Sequence, residues 1–166
     1  HSRIIGAESG NLDLFFFGGD MARRLLAGGA GQRDVSVIEG VMGYYDGMGL
    51  TTTQASAYDL ARETDSPAVL VVGAKGASLS LLAVIEGFLR FRPDSHIRGI
   101  IFNQCAPAVY AALAEAVRER FGGRVKPLGY LPPMADCALE SRHLGLVTAG
   151  EVVDLRDKLR RLACQA

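Results

Sequence analysis

The chain has 166 residues, of which 49% are hydrophobic, and this is enough for one domain with a well-buried core. Its 18 Lys and Arg balance 18 Asp and Glu, so there is no net field to attract nucleic acid. The apolar runs are much shorter than the roughly 20 residues of a membrane span, and the start lacks a signal-peptide pattern. Three widely separated cysteines without a CxxC pair argue against a disulfide framework and a zinc site, so we expect a cytoplasmic protein.

Short runs rich in Val, Ile and Leu, closed by Gly, Asn or Pro, predict buried strands, and the segments between them have helical patterns. In chain order the predicted elements are a strand at 34–41, a helix at 53–64, a strand at 67–74, a helix at 78–91, a strand at 97–104, a helix at 108–121, a strand at 126–132 and a helix at 151–163. This alternation predicts an α/β fold. We expect a mostly parallel sheet flanked by helices, formed as a single domain over residues 1–166.

Two carboxylates stand in a glycine-rich stretch after the first predicted strand, within VIEGVMGYYDGMGL at residues 37–50. Ligands of open α/β sheets bind outside the carboxyl ends of the strands. Glu39 ends the predicted strand, and an acid followed by glycines there is typical of phosphate-transferring enzymes that hold Mg²⁺. The alternative is a tight turn in which Glu39 and Asp46 merely face water. The pattern alone does not choose between the two.

The segment VIEGVMGYYDGMG resembles the signature of cobyrinic acid a,c-diamide synthases, in which EGVMG, an aromatic residue and DG follow a hydrophobic strand. Other segments resemble the same family in the same order: HSRIIGAESGNLD at 1–13, GIIFNQ at 99–104, PLGYLP at 127–132 and RHLGLV at 142–147. The resemblance covers nearly the whole chain to about residue 151. It corresponds to the ATP-dependent synthetase domain of that family.

The resemblance implies a P-loop NTPase fold like that of dethiobiotin synthetases, and a reaction of cobalamin biosynthesis. In this reaction ATP phosphorylates carboxylates of a corrin ring, and ammonia from glutamine converts the acyl phosphates to amides. The resemblance also implies that Glu39 is a catalytic ligand of Mg²⁺. Asp46, a second catalytic and metal-site residue, would lie beside the metal or the phosphorylated carboxylate. Positioning and charge neutralisation are most of what phosphoryl transfer requires.

Three further residues would bind the nucleotide if the resemblance extends to their roles. Asn103 matches the position that reads the adenine edge of ATP, which an amide can do with one donor and one acceptor. The alternative for Asn103 is a strand-end cap. Arg142 and His143 would face the nucleotide or the acyl phosphate, and a surface turn is the alternative for both.

The corrinoid substrate would dock against the segment that matches the family's N-L-D motif. Ser9, Asn11 and Asp13 would line that side and face the corrin carboxylates. A helix N-cap is the alternative for these residues, since short polar side chains are common there.

The sequence also departs from the family. No segment matches the phosphate-binding pattern G-x-x-x-x-G-K-[ST], and residues 73–80 are the nearest candidate. Chains of the family carry a C-terminal glutamine amidotransferase domain as the partner of the synthetase domain, whereas this sequence stops soon after RHLGLV. We therefore expect an N-terminally truncated fragment that is inactive alone. In it the predicted strand at 34–41 would lack one neighbour, and its exposed edge would allow homo-oligomers.

Two other functions remain open from the sequence. One is a dethiobiotin synthetase-like ligase, to which VVGAKG at residues 71–76 bears some likeness. Its strand end normally reads E-G-A-G-G, so the M-G-x-x-D-G pattern here counts against it. The other is a non-catalytic domain of the same fold that regulates or assembles a larger protein, which the missing phosphate loop favours.

Overall fold

The computed structural model describes residues 6–31, 33–137 and 155–165. Its helices are α1 (Gly19–Ala30), α2 (Ala57–Glu63), α3 (Ser80–Phe91), α4 (Pro107–Phe121) and α5 (Leu155–Gln165), and its strands are β1 (Ala68–Gly73), β2 (Ile97–Asn103) and β3 (Lys126–Leu131). Short 3-10 turns occupy Gly122–Arg124 and Ala135–Cys137. The strands form a parallel sheet in the order β1-β2-β3, and with its flanking helices it makes the predicted α/β fold.

β2 lies between the other two described strands and is the most buried of them. Its register with β3 pairs Gly99 with Lys126 and Asn103 with Leu131. Ile97, Ile100 and Phe102 are fully buried in it. A strand covered on both faces reads as a continuous apolar run, which is why GIIF was recognisable in the sequence. The carboxyl end of β2 therefore places Asn103 where the sequence predicted it, at a strand end.

Most predicted elements are confirmed. The strands predicted at 67–74, 97–104 and 126–132 are β1, β2 and β3, and the helices predicted at 78–91 and 108–121 are α3 and α4. Leu81, Ile85 and Leu89 of α3 are buried at spacings of four, as the periodicity predicted. The helix predicted at 151–163 is α5 from Leu155 onward, and its first four predicted residues lie outside the described part of the chain.

The strand predicted at 34–41 is wrong, because no residue of that segment is in a strand. Val and Ile residues form a stable strand only where another strand satisfies their backbone N–H and C=O groups. None of the strands in the described residues pairs with this segment. Val35 and Val37 remain 77% and 89% exposed as a result. Glu39 therefore lies in an irregular segment and does not end a strand.

α1 is not among the predicted helices. Its Gly28 and Gly29 weaken the helical pattern, since glycine disfavours a helix interior. Contacts with α2 hold it instead: Arg23 Nη1 donates hydrogen bonds to the backbone oxygen of Glu63 at 2.8 Å and to its Oε2 at 2.9 Å. Short helices depend on packing more than on propensity, so α1 could not be read from its own residues.

α2 begins at Ala57, later than the predicted start at residue 53. Ser56 caps it, because its Oγ accepts a hydrogen bond from the N–H of Asp59 at 3.1 Å. Ala55 has a φ of 60°, in the left-handed region, so the helix cannot extend toward residue 53. The carboxylate of Asp59 accepts the N–H of Ala55 at 2.9 Å and stabilises this conformation.

The chain divides into two compact units, each with its own internal contacts. The first unit contains Gly10–Val69 and Val84–Arg98, and the second contains His1–Ser9, Leu70–Ala83 and Gly99–Ala166. Glu39 and Asp46 belong to the first unit, and Asn103 belongs to the second. That residues 1–166 form a single domain stays a prediction.

Across the described ranges, no helix combines the length and the apolar character that crossing a membrane requires.

We expect the 166-residue chain to self-associate as its concentration rises. Among the strands of the described residues, β1 stands at one end of the order, and its Val69 and Val71 are 48% and 60% exposed. An exposed apolar edge strand offers backbone groups to a second chain, and a lysine on such an edge opposes that pairing. Val71→Lys should therefore lower the mass measured by sedimentation at several concentrations.

The matched control for this prediction is Val84→Lys, which places the same charge on an exposed position of α3. It should associate like the unchanged chain. A chain that is monomeric at every concentration, or a control that lowers association as much as Val71→Lys, would contradict the role of the edge.

Candidate functional site

The acidic turn, defined here as residues 39–47, is built round a tight reversal from Gly43 to Asp46. The N–H of Asp46 donates a hydrogen bond to the carbonyl oxygen of Gly43 at 2.9 Å. The carboxylate of Asp46 folds back over Gly43, so a Cβ atom at position 43 would lie 2.8 Å from Asp46 Cγ and overlap its Oδ2. The position of the Asp46 carboxylate therefore requires a glycine at residue 43.

The chain after Asp46 folds back against residues 52–54. The N–H of Gly47 donates to the carbonyl of Thr52 at 3.1 Å, and that of Met48 donates to the carbonyl of Gln54 at 2.8 Å. A Cβ atom at Gly47 would lie 2.7 Å from the Thr52 oxygen. The backbones approach too closely here for any side chain, which explains the glycine of the D-G pair.

The first turn of α2 contacts the acidic turn directly. The first N–H groups of a helix have no partner within the helix. One of them, from Tyr58, donates to the carbonyl of Tyr44 at 2.9 Å. The acidic turn therefore supplies the acceptor for one N–H group at the N-terminus of α2.

Aromatic rings surround this contact. The ring centroid of Tyr45 lies 4.9 Å from that of Tyr44, 5.2 Å from that of Tyr58 and 4.9 Å from that of Phe91. Tyr45 also stacks on Phe88 at 5.8 Å. No role was predicted for these side chains from the sequence. The aromatic residue in the family signature could have indicated this cluster. The sequence did not show that Tyr45 contacts Phe88 and Phe91 of α3.

The two predicted metal ligands, Glu39 and Asp46, are both exposed to solvent. Nowhere in the described ranges do three or more His, Cys, Asp or Glu side chains form a group that could hold a metal ion. Mg²⁺ requires fewer protein ligands, because it usually binds one or two carboxylates together with substrate phosphates and water. The donor set of Glu39 and Asp46 fits this mode, so both remain candidates.

Asn103 ends β2, and its side chain helps to close the strand. Its Oδ1 accepts a hydrogen bond from the N–H of Gln104 at 3.0 Å, and its backbone oxygen accepts the N–H of Ala74 at 2.7 Å. Gln104 has a φ of 56°, so the chain turns sharply there. This is the cap geometry that the sequence left open. The bond uses one lone pair of the amide and neither of its donors, and the adenine contact stays a prediction.

Asp13 also caps a turn. Its Oδ1 accepts the N–H of Phe15 at 2.8 Å, and its backbone oxygen accepts the N–H of Phe17 at 3.0 Å. Ser9, in the second unit, donates from Oγ to the carbonyl of Ala7 at 3.1 Å. Asn11 is exposed. Asp13 therefore caps a turn and not a helix, because the next helix begins only at Gly19 with Gly18 as its N-cap. The corrin-binding role of all three residues stays a prediction.

Arg142 and His143, predicted to face the nucleotide or the acyl phosphate, lie outside the described residues. The same is true of His1, which matches a histidine of the family.

Several known proteins that are similar to this chain have one name in common. Over 161 residues, which are 97% of the chain, it is 42% identical to the cobyrinate a,c-diamide synthase of Clostridium acetobutylicum. The chain is homologous to cobyrinate a,c-diamide synthases. It is also 42% identical to the synthase of Listeria monocytogenes and 40% identical to that of Thermoplasma acidophilum, each over 95% of the chain. This homology confirms the resemblance that the motifs indicated.

The chain spans only about a third of the length of these relatives. It covers 36% of the Clostridium synthase and 35% of the Listeria and Thermoplasma synthases. No family model matches the chain. No solved structure matches it either.

Proposed function

We propose that this chain is part of an amidating ligase of cobalamin biosynthesis that acts on the a and c carboxylates of cobyrinic acid, or of its cobalt-free form, hydrogenobyrinic acid. The observation that carries the proposal is the identity of 40–42% to named synthases over 95–97% of the chain. A match that leaves out so few residues includes the acidic turn. In this turn a Cβ atom at Gly47 would lie 2.7 Å from backbone atoms of Thr52 and Thr53, so a glycine is needed there.

The proposed reaction joins ammonia to each carboxylate in two steps. A carboxylate oxygen attacks the γ-phosphorus of ATP, and ADP leaves, which gives an acyl phosphate. Ammonia freed from glutamine by an amidotransferase domain then attacks the acyl carbon. The amide forms as inorganic phosphate leaves and the nitrogen loses a proton.

Glu39 and Asp46 are the residues that would hold Mg²⁺ in this reaction. When bound, the ion would neutralise charge on the phosphate oxygens of ATP. The carboxylate of Asp46 lies over Gly43, where the lack of a side chain leaves room for it. A carboxylate held in place before its ligand binds would contribute to catalysis because no reorganisation is needed during the reaction.

The remaining predicted residues would bind the two substrates. Asn103 would read the adenine edge through its amide, and Arg142 and His143 would contact the nucleotide or the acyl phosphate. Ser9, Asn11 and Asp13 would face the corrinoid. We also propose the cytoplasm as the location, and a homo-oligomer as a possible assembly.

Corrinoid-dependent formation of ADP tests the proposal. The assay needs the protein together with the segments that its longer relatives possess, because we expect the 166 residues alone to be inactive without a phosphate-binding loop. Cobyrinic acid with ATP, Mg²⁺ and glutamine should yield ADP and a diamide, identified by mass spectrometry. ADP formation with the substrate of dethiobiotin synthetases instead would favour that ligase. No turnover with either substrate would favour a non-catalytic domain.

In that protein, we expect Asn103→Ala to raise the KM for ATP about fivefold while lowering kcat less. Base contacts are made equally in the ground and transition states, and a hydrogen bond of this kind contributes roughly 1 kcal/mol. Steady-state kinetics at varied ATP concentration would measure both constants.

The matched control is Asn103→Asp, which keeps an oxygen to accept the N–H of Gln104 but removes the amide donors. If Asn103 reads adenine, this variant should also have a raised KM for ATP. An Asp variant with the original KM would show that Asn103 serves only as a cap.

A further inference from the structure

Two tyrosine hydroxyls connect the acidic turn to the segment at 88–95. Tyr44 and Tyr45 occupy the two central positions between Gly43 and Asp46. The hydroxyl of Tyr44 donates to the carbonyl oxygen of Ser95, and that of Tyr45 donates to the carbonyl oxygen of Phe88 at 2.6 Å. Both central side chains of the reversal are therefore anchored to backbone atoms elsewhere in the first unit.

A third tyrosine joins these two to α2. The hydroxyl of Tyr58 donates to Asp94 Oδ1 at 2.9 Å, and the N–H of the same residue donates to the carbonyl of Tyr44. Tyr58 is 4% exposed, and its ring contacts those of Tyr44 and Tyr45 at centroid distances of 6.2 and 5.2 Å. The three rings thus form one cluster, and each of their hydroxyls donates to an acceptor in the segment at 88–95.

The hydroxyls are suited to donate in this cluster. Burial raises the pKa of Tyr44, Tyr45 and Tyr58, so all three stay protonated well above neutral pH. The hydrogen bond from Tyr58 also lowers the pKa of Asp94, which keeps this acceptor ionised. Two of the acceptors are backbone carbonyls, which need a donor when they are buried.

The acidic turn would be mobile without such anchors. Glycines at 40, 43, 47 and 49 surround its two carboxylates, and glycine adds conformational freedom to a chain. Ordering a flexible segment when a ligand binds reduces the affinity for that ligand. With both central side chains held, however, Gly43 and Asp46 at the ends of the reversal have little freedom left.

We propose that the hydroxyls of Tyr44, Tyr45 and Tyr58 are positioning groups that hold the Asp46 carboxylate ready for its ligand. The inference rests on the proposed function for the identity of that ligand, Mg²⁺ with ATP, and on the observed contacts for the positioning itself. A simpler account is that the aromatic rings only fill space. The two accounts differ in what the hydroxyl groups do, because phenylalanine keeps the ring and removes the hydrogen bond.

The functional test uses Tyr44→Phe, Tyr45→Phe and the double variant in the protein that carries the segments of its longer relatives. The Mg²⁺ concentration for half-maximal ADP formation should rise about tenfold in the double variant, while kcat at saturating Mg²⁺ should change less. Tyr110→Phe is the matched control. The ring of Tyr110 stacks on that of Tyr130 in the second unit, with the centroids 4.7 Å apart. Removing the Tyr110 hydroxyl should leave the Mg²⁺ dependence unchanged.

A second test needs no activity. Hydrogen exchange measured on the 166-residue chain reports the backbone N–H groups of Asp46, Gly47 and Met48, which are hydrogen-bonded within the turn and its continuation. These groups should exchange about tenfold faster in the Tyr44→Phe/Tyr45→Phe variant, while those of α4 should not change. Unchanged exchange would overturn the positioning role.

The two tests separate the failure of the inference from the failure of the proposed function. Faster exchange in a protein that has no corrinoid-dependent activity would reject the proposed ligand and leave the tyrosine anchors in place. Faster exchange with an unchanged Mg²⁺ dependence in an active protein would reject the positioning of Asp46 for a metal. A fall in kcat and melting temperature without a shift in Mg²⁺ dependence would show a purely structural role.

Discussion

Glu39→Gln should lower the rate of amide formation by roughly two or more orders of magnitude, because an amide cannot supply the negative charge of a metal ligand. The fold should be preserved, since Glu39 is exposed and lies outside every helix and strand of the described residues. The measurement is kcat for the corrinoid diamide in the protein with the segments of its longer relatives. Thermal melting of the same sample would verify folding.

Glu119→Gln is the matched control, because it makes the same chemical change on an exposed position of α4. Its turnover should equal that of the unchanged protein. Asp46→Asn should be milder than Glu39→Gln, since an asparagine can occupy the same place over Gly43 and still offer one oxygen. Unaltered turnover in Glu39→Gln would end the assignment of Glu39 as a ligand.

Gly47→Ala should destabilise the chain by about 2 kcal/mol. The added Cβ atom would lie 2.7 Å from both the carbonyl oxygen of Thr52 and the carbonyl carbon of Thr53, and these are backbone atoms that cannot rotate away. The hydrogen bonds from Gly47 to Thr52 and from Met48 to Gln54 would have to lengthen or break. Urea denaturation would give the change in the free energy of unfolding.

Gly28→Ala provides the comparison. Residue 28 lies in α1, and a Cβ atom there would meet nothing within 4 Å. Alanine is favoured over glycine within a helix, so this variant should gain up to about 1 kcal/mol. Equal stability of Gly47→Ala and the unchanged chain would mean that the close approach at Gly47 is not maintained in solution.

The predicted strands at 34–41 and 97–104 show what the sequence could and could not supply. Both segments are rich in Val and Ile, so their local preference for a strand is similar. β2 has described neighbours on both sides and forms, whereas 34–41 has none and does not. Pairing is a property of two segments, and one segment does not encode whether its partner is in place.

The acidic turn was predictable in part for the same reason. Its glycines and acids could be recognised from the sequence, because the contacts that involve them are local. A side chain at Gly43, for example, would overlap the carboxylate of Asp46, which is close in sequence. The roles of Tyr44 and Tyr45 could not, since their hydroxyls bind carbonyls 51 and 43 residues further along the chain. Nothing in the signature identifies a backbone oxygen on α3 or after it.

Those long separations have a consequence for how the protein folds. Closing a loop of 51 residues between Tyr44 and Ser95 costs entropy that must be recovered by later contacts. The intervening helices α2 and α3 can form from local interactions and on a faster timescale. The acidic turn should therefore acquire its final geometry late, once α3 is in place. During synthesis, Glu39 and Asp46 leave the ribosome well before Phe88 and Ser95, so their arrangement waits for residues that have yet to be made.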